Sequence, residues 1–448
     1  MSLQFITGNS GNGKTKYLFN RIVKEAKANP RDNYLVIVPE QFTMQTQRQL
    51  VDLSENKAIM NIDVLSFKRL AYRVFDELGI TNLTVLEETG KNLVLRKLAA
   101  QEADKLGVIG RNLNRIGYIS EVKSLLSELV QYNISPEELG RYIASGRLSD
   151  ALSDKLKDVL VLYEAFEKFM QDKYITAEEI LNVLCNVAEE SAILRNSVIA
   201  FDEFTGFTPI QNQLIKKLFV ISKKIYVTLT IDCREDIFKS RGMQELFDMP
   251  KRTVKSLTEM AAFYGIEVEE PIILDKNYRL AENEELSFME QQLFRKRRCS
   301  FKKVPKHIHI DCLRDPKQEL TKIARRINEL VRNENLRYRD IAIVTGDVNI
   351  YAGYVREIFD KYNIPYFIDA TQEILFHPFI EFIRSIPDIA AQNFSADAVF
   401  RFLRCGFSEL LDSEIDVLEN YVLACGVRGK NAWDKKWVRL PKHKAGYD

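Results

Sequence analysis

The chain opens with a β-type run, Leu3-Gln4-Phe5-Ile6-Thr7, that passes straight into Gly8-Asn9-Ser10-Gly11-Asn12-Gly13-Lys14-Thr15. An amphipathic stretch carrying Tyr17, Leu18, Ile22 and Val23 at helical spacing follows. A strand, G-x-x-x-x-G-K-[ST] and a helix in this order make the P-loop pattern. Glycines let backbone amides turn inward around phosphate oxygens without Cβ clashes. A helix starting at Lys14 aims its N-terminal dipole at the same anion. Lys14 is expected to reach the β- and γ-phosphates of ATP, and the Thr15 hydroxyl to ligate Mg²⁺. Gly8, Asn9, Ser10, Gly11, Asn12, Gly13, Lys14 and Thr15 together are the candidate nucleotide cradle. The bland alternative is a Gly/Asn-rich turn before a helix, and the flanking strand and helix weigh against it.

A P-loop implies a parallel sheet, and the chain supplies its strands. Residues 34–38 are an unbroken apolar run of the kind buried in such a sheet. Residues 63–67 make a plausible third strand, leading into a helix over 68–78. Much later, residues 197–201 read as a buried strand ending in Asp202-Glu203. An acid at that edge is placed to hold Mg²⁺ opposite Thr15, and the adjacent Glu203 to polarise an attacking water. A solvated acidic turn is the bland reading of the same pair. Residues 224–231 form a further strand ending in Asp232, and Thr208-Pro209 reads as the N-cap and first residue of a helix. Between residues 80 and 190 the pattern is helical, with stripes such as Ile119, Val122, Leu126, Leu129 and Leu156, Val159, Tyr163, Phe166. The first part therefore reads as an α/β domain with a large all-α insertion.

The second half alternates again. Residues 309–313, 340–344 and 364–368 read as buried strands around helices over 318–333 and 350–362, and helices resume around Phe400 and Leu418. Nothing after residue 442 reads as a closing element, so the chain is expected to be a fragment. Residues 295–306 hold seven basic side chains and no acid, either a phosphate-contacting linker or a solvated charge run.

Composition narrows the setting. At 448 residues, 46% hydrophobic and 28% charged, the chain has the balance of an ordinary globular protein. Its net charge of +1 argues against gripping nucleic acid by bulk charge, leaving a local groove as the means. No apolar run approaches the ~20 residues of a membrane span, and no signal peptide is visible, so no membrane partner is expected. Six scattered cysteines without a C-x-x-C pair read as free thiols of a cytoplasmic protein.

With these pieces in order, a resemblance emerges. Asp202-Glu203-Phe204, with Gln211 beyond it, is similar to the Walker B region of UvrD-like DNA helicases. Asp232 with Ile237-Phe238 and Arg241-Gly242 resembles the motif that follows it. Leu274-Asp275-Lys276-Asn277-Tyr278-Arg279 matches that superfamily's L-x-x-N-Y-R, whose arginine contacts the γ-phosphate. Val38-Pro39-Glu40-Gln41-Phe42-Thr43, Leu65-Ser66-Phe67-Lys68-Arg69-Leu70-Ala71 and Phe204-Thr205-Gly206-Phe207-Thr208-Pro209 point within it to the AddB family, the second subunit of bacterial AddAB helicase–nucleases.

The resemblance implies a RecA-like P-loop domain over residues 1–80 and 191–280, interrupted by the helical insertion 81–190. A second, incomplete RecA-like domain over 281–390 and the start of another helical insertion over 391–448 would follow. It implies double-strand break processing for recombinational repair, partnership with an AddA motor, and scanning of single-stranded DNA for Chi. It also implies an ATP and Mg²⁺ site built from the loop, Asp202, Glu203 and Arg279. The family's 4Fe–4S cluster and nuclease domain have no ligand set or catalytic cluster in this chain. Phe42 and Phe67 fall where helicases meet DNA, as stacking platforms or as core.

The departures bear on mechanism. The chain lacks the upstream Gln motif that reads adenine. Thr205-Gly206 stand where motors carry Gln-Asp. Glu235 replaces the γ-phosphate-sensing Gln and is expected to repel phosphate. A scanning, ATP-binding subunit is the favoured reading. An actively translocating UvrD-like helicase is the alternative, and an unrelated P-loop kinase a more distant one.

Overall fold

The computed structural model describes the chain except residues 82–83, 109, 111–115, 146–147, 171–173, 296–298, 371–373 and 440–448. It divides into two compact units, Met1–His309 and Ile310–Asp448.

In the first unit the apolar runs become strands β1 (Ser2–Gly8), β2 (Tyr34–Ile37), β3 (Ile62–Leu65), β4 (Val85–Leu86), β5 (Ile175–Thr176), β6 (Val198–Phe201), β7 (Lys224–Thr230), β8 (Glu267–Val268) and β9 (Ile272–Leu274). Seven of them form one sheet in the order β3-β2-β6-β7-β1-β8, with β9 also on β1, and every pair is parallel. Parallel strands are joined by crossovers that cover both faces, which is why β2 and β6 are buried at every residue. Alternate side chains serve the two faces. Leu3, Phe5, Leu35, Ile37, Ile199 and Phe201 share one core with α3 (Phe67–Leu78), α9 (Pro209–Ile221) and α10 (Asp248–Phe263). Ile6, Val36, Ala200 and Tyr226 share the other with α1 (Lys14–Ala28) and α2 (Thr43–Leu53).

Local chemistry sets the boundaries. β3 stops at Leu65, two residues earlier than its apolar run suggests, because the Ser66 side chain accepts from Arg69 N and caps α3, whose first residue is Phe67. At α9, Thr208 and Gln211 form a reciprocal capping box with Pro209 at the first helical position.

The insertion carries α4 (Glu88–Gln101), α5 (Ile116–Gln131), α6 (Pro136–Ala144) and α7 (Asp150–Met170) around a core of Leu95, Leu126, Leu162 and Phe166. It is not wholly helical, since β4 and β5 pair in parallel at its neck, each too short to leave a period in the sequence. Its last helix, α8 (Ile180–Val187), returns to the sheet, where Ile180 and Leu184 join the core of the α3 face. Lys91 on α4 is 2% exposed and pins the return: its Nζ lies 2.7 Å from Glu178 and 2.9 Å from Glu88.

After α11 (Glu284–Gln292) the second unit begins. There α12 (Pro316–Asn333) packs on α13 (Val348–Lys361) through Leu320, Ala324, Ile358 and Phe359. The helices α14 (Pro378–Ala391), α15 (Ala396–Leu403) and α16 (Asp412–Cys425) follow. The expected strands at 309–313, 340–344 and 364–368 do not form, and no strand is assigned among the described residues of this unit. Ile310, Val344 and Phe367 are 94, 93 and 89% exposed. Apolar side chains favour a strand only where a neighbour completes the hydrogen-bond ladder, and here amides such as Ile341 N are taken locally, by Tyr338 O at 3.2 Å. Among the described residues no helix is long and apolar enough to cross a membrane.

Candidate nucleotide site

The loop after β1 is pressed against the chain that follows β9. A Cβ on Gly8 would lie 2.6 Å from Leu274 O, and one on Gly11 2.8 Å from both Arg279 Cβ and Asn277 Oδ1. Gly11 and Gly13 also hold left-handed φ of 87° and 78°, which side chains resist. Hydrogen bonds close the clasp: Tyr278 N and Arg279 N donate to Gly11 O at 3.0 and 3.3 Å, Asn277 Nδ2 to Ser10 O at 3.0 Å, and Asn12 Nδ2 to Leu274 O at 2.6 Å. The Asn-Tyr-Arg segment is thus carried to the loop, although over 260 residues separate them in sequence.

Ser10, Gly11, Gly13, Lys14, Thr15, Asp202, Glu203 and Arg279 line one cavity of about 690 Å³. The remaining loop residues hold it from behind. Gly8 ends the strand, Asn12 ties to Leu274 O, and Asn9 donates to Glu290 Oε1 at 2.8 Å while accepting from Cys233 N at 2.9 Å.

Charge in the cavity is poised rather than neutralised. Lys14 Nζ donates to Gly8 O and Asn9 O at 3.1 and 3.0 Å. Burial pushes its pKa down, against the opposing pull of the Glu203 and Asp202 carboxylates. Asp202 is 1% exposed, and burial holds its carboxyl above the usual range. Thr15 Oγ1 donates to Asp202 Oδ1 or to Glu203 Oε1, each 3.3 Å away. Glu203 sits at φ 65°, a conformation that costs a non-glycine residue on the order of 1 kcal/mol.

These residues fit a magnesium ion. Asp202 Oδ2 is buried without a hydrogen-bond partner among the described residues, next to the Thr15 hydroxyl. One carboxylate and one hydroxyl suit Mg²⁺, which keeps most of its shell as water and phosphate oxygens. No group of three or more His, Cys, Asp or Glu side chains gathers among the described residues. All six cysteines are free thiols.

The family description "ADDB, N-terminal" matches residues 5–290. The chain belongs to the AddB family. It is 39% identical to the B subunit of the ATP-dependent helicase/deoxyribonuclease of Lachnoclostridium phytofermentans, across all of this chain and 39% of that protein. The protein of the same name from Clostridium tetani is 34% identical over 98% of this chain and 38% of its own length. The one from Clostridioides difficile is 33% identical over 98% and 38%. The chain therefore spans about two-fifths of the length of these AddB relatives.

Several side chains in this AddB chain do other jobs than their sequence positions suggest. Glu235 does not line the cavity; its Oε2 lies 2.7 Å from Nζ of Lys251, which is buried, so its charge is answered before it reaches a phosphate. Gln211 spends its side chain on Thr208 N at 2.9 Å. Phe67 is buried against Phe201, Phe204 and Phe207, with ring centroids 5.8, 5.5 and 6.3 Å away, so core packing accounts for it. Phe42 is partly buried against the core on the other face, which includes Leu50 and Ile62.

In the basic run, Arg295 Nε bonds Asp232 Oδ2 at 2.9 Å and Lys303 meets Glu284 at 2.5 Å, while residues 296–298 lie outside the described set. Sequence reasoning named Asn277 only as part of the Asn-Tyr-Arg motif, without its bond to Ser10 O, and missed Thr228 altogether. The signal for Thr228 was a polar side chain at a fully buried position of β7, on the face that also carries Tyr226.

Proposed function

We propose that this chain forms the nucleotide-binding part of the AddB component of an AddAB-type ATP-dependent helicase–exonuclease, which processes DNA double-strand breaks for recombinational repair. The observation that carries the reading is the convergence of Lys14, Thr15, Asp202, Glu203 and Arg279 on one cavity. In this reading the fold is RecA-like. The loop amides and Lys14 bind the β- and γ-phosphates, and Arg279 contacts the γ-phosphate. Thr15 and Asp202 hold Mg²⁺, which neutralises phosphate charge when bound. Glu203 orients the attacking water. The partner is an AddA motor, and the ligand of the assembled core is single-stranded DNA scanned for Chi.

A second reading, active translocation, is favoured by the Lys251–Glu235 pair, which removes the expected repulsion of the γ-phosphate. One experiment addresses both. Titration with a fluorescent ATP analogue and Mg²⁺ is expected to show saturable binding that falls at least ~100-fold in Lys14→Ala. Absence of binding by both proteins would overturn the nucleotide reading. DNA-stimulated phosphate release lost in Glu203→Gln, with any partner motor disabled, would favour translocation over scanning.

A further inference from the structure

The β6–β7 pairing sets Phe201 opposite Val227, so the next residues, Asp202 and Thr228, stand side by side on the face covered by α1. Thr228 is buried, and its hydroxyl donates to Asp202 Oδ1. The Thr15 hydroxyl reaches the same oxygen at 3.3 Å, while Oδ2 has no hydrogen-bond partner among the described residues. This asymmetry is costly, because a buried carboxylate is normally satisfied on both oxygens. A hydroxyl has a single proton to give, and Thr228 gives it to the acid at the floor of the cavity. Valine would fill the same space and suit the strand equally well, so packing does not account for the hydroxyl.

We propose that Thr228 is a positioning residue for the nucleotide's divalent cation: by holding Asp202 Oδ1, it fixes the carboxylate plane and keeps Oδ2 free for the ion or its water shell. The proposal rests on the nucleotide-binding reading above. Thr228 also lines the cavity, but its one hydroxyl proton goes to Asp202 Oδ1, and in this proposal it acts through that carboxylate. A partner hydrogen-bonded behind a metal-holding side chain sets its orientation and basicity, and losing such a partner typically weakens metal binding roughly 10–100-fold.

The test is a Mg²⁺ titration at fixed fluorescent ATP analogue for the wild type, Thr228→Val and Thr228→Ser, with a parallel measurement in EDTA. Thr228→Val is expected to raise the half-saturating Mg²⁺ concentration about tenfold or more. Its metal-free affinity for the analogue should stay at the wild-type level, and Thr228→Ser, which restores the hydroxyl, should return the midpoint close to wild type. Thermal melting reports whether each variant folds. If Thr228→Val does not, Thr228→Ala removes the hydroxyl by another route and should move the midpoint the same way. A wild-type midpoint in the variant that lacks the hydroxyl, or equal losses in the serine and valine variants, would overturn the proposal. Wild-type binding that ignores Mg²⁺ would overturn it and leave nucleotide binding intact. No wild-type binding at any Mg²⁺ concentration would overturn both.

Discussion

Two lysines withdrawn from water, Lys91 in the helical insertion and Lys14 in the P-loop, have been treated in opposite ways. Burial works against the charge of Lys91, but the carboxylates of Glu178 and Glu88, at 2.7 and 2.9 Å, outweigh it and raise its pKa. Lys14 is half-buried, its hydrogen bonds go to the carbonyls of Gly8 and Asn9, and burial prevails, lowering its pKa. A cation whose charge is answered inside the fold serves the fold. One whose nearest partners are neutral carbonyls keeps its charge available for a ligand. The difference is the one expected between a structural lysine and a binding one, and it is read without appeal to sequence motifs.

The largest effect expected from this contrast lies at Lys91. Lys91→Ala leaves Glu178 as a largely buried carboxylate without its main partner, and should cost about 3–5 kcal/mol in urea unfolding. Replacing both partners, Lys91→Met with Glu178→Leu, should recover most of that loss, because an apolar pair carries no desolvation penalty. A loss below about 1 kcal/mol in the single variant would mean that the insertion does not depend on this pair, and the contrast would fail.

The second prediction sharpens the contrast by pH. Burial would raise the Glu178 carboxyl, but the hydrogen bond from Lys91 brings it below the usual value. Its contribution to stability is therefore complete above the unfolded carboxyl pKa of about 4.3 and is lost as pH falls through the lower folded value. The raised pKa of Lys91 gives a contribution present below about pH 10.4, lost only as pH rises through the folded value. Asp202 runs the other way, since burial raises its carboxyl and protonation on acidification relieves a buried charge. Hydrogen exchange below about pH 4 compared with pH 7 should show α4 and the start of α8 losing protection relative to β6 and β7. Equal losses in both regions would refute it.

These contrasts mark how far sequence could be read. The buried strands β2 and β6 were legible because a parallel strand covered on both faces is a continuous apolar run. The loop was legible because its glycines stand where a left-handed φ or a close backbone approach leaves no room for a side chain. The apolar runs near Ile310, Val344 and Phe367 looked the same and are not strands, because a strand also needs a partner ladder that no local pattern reports. Thr228 was missed for a related reason: its meaning depends on the β6–β7 register, which sets it beside Asp202 from 26 residues away. Glu235 misled because its sequence position does not report its partner, Lys251, which is brought to it from the first turn of α10.

The smallest stability effect belongs to the residue with the largest expected effect on binding. Lys14→Ala removes two hydrogen bonds to Gly8 O and Asn9 O, each contributing on the order of 1 kcal/mol, but it also removes a half-buried ammonium that burial disfavours. Because the folded pKa is lowered, folding at neutral pH keeps a proton on a group that the folded environment holds less tightly than water does. The two terms oppose each other, so the unfolding free energy from urea titration should stay within about 1 kcal/mol of wild type, and nucleotide binding alone should be lost. A Lys14→Ala protein destabilised as much as Lys91→Ala would show that the P-loop lysine is held by the fold after all. A variant slightly more stable than wild type would show that the ammonium is kept in the cavity at the expense of folding, for the ligand it has yet to meet.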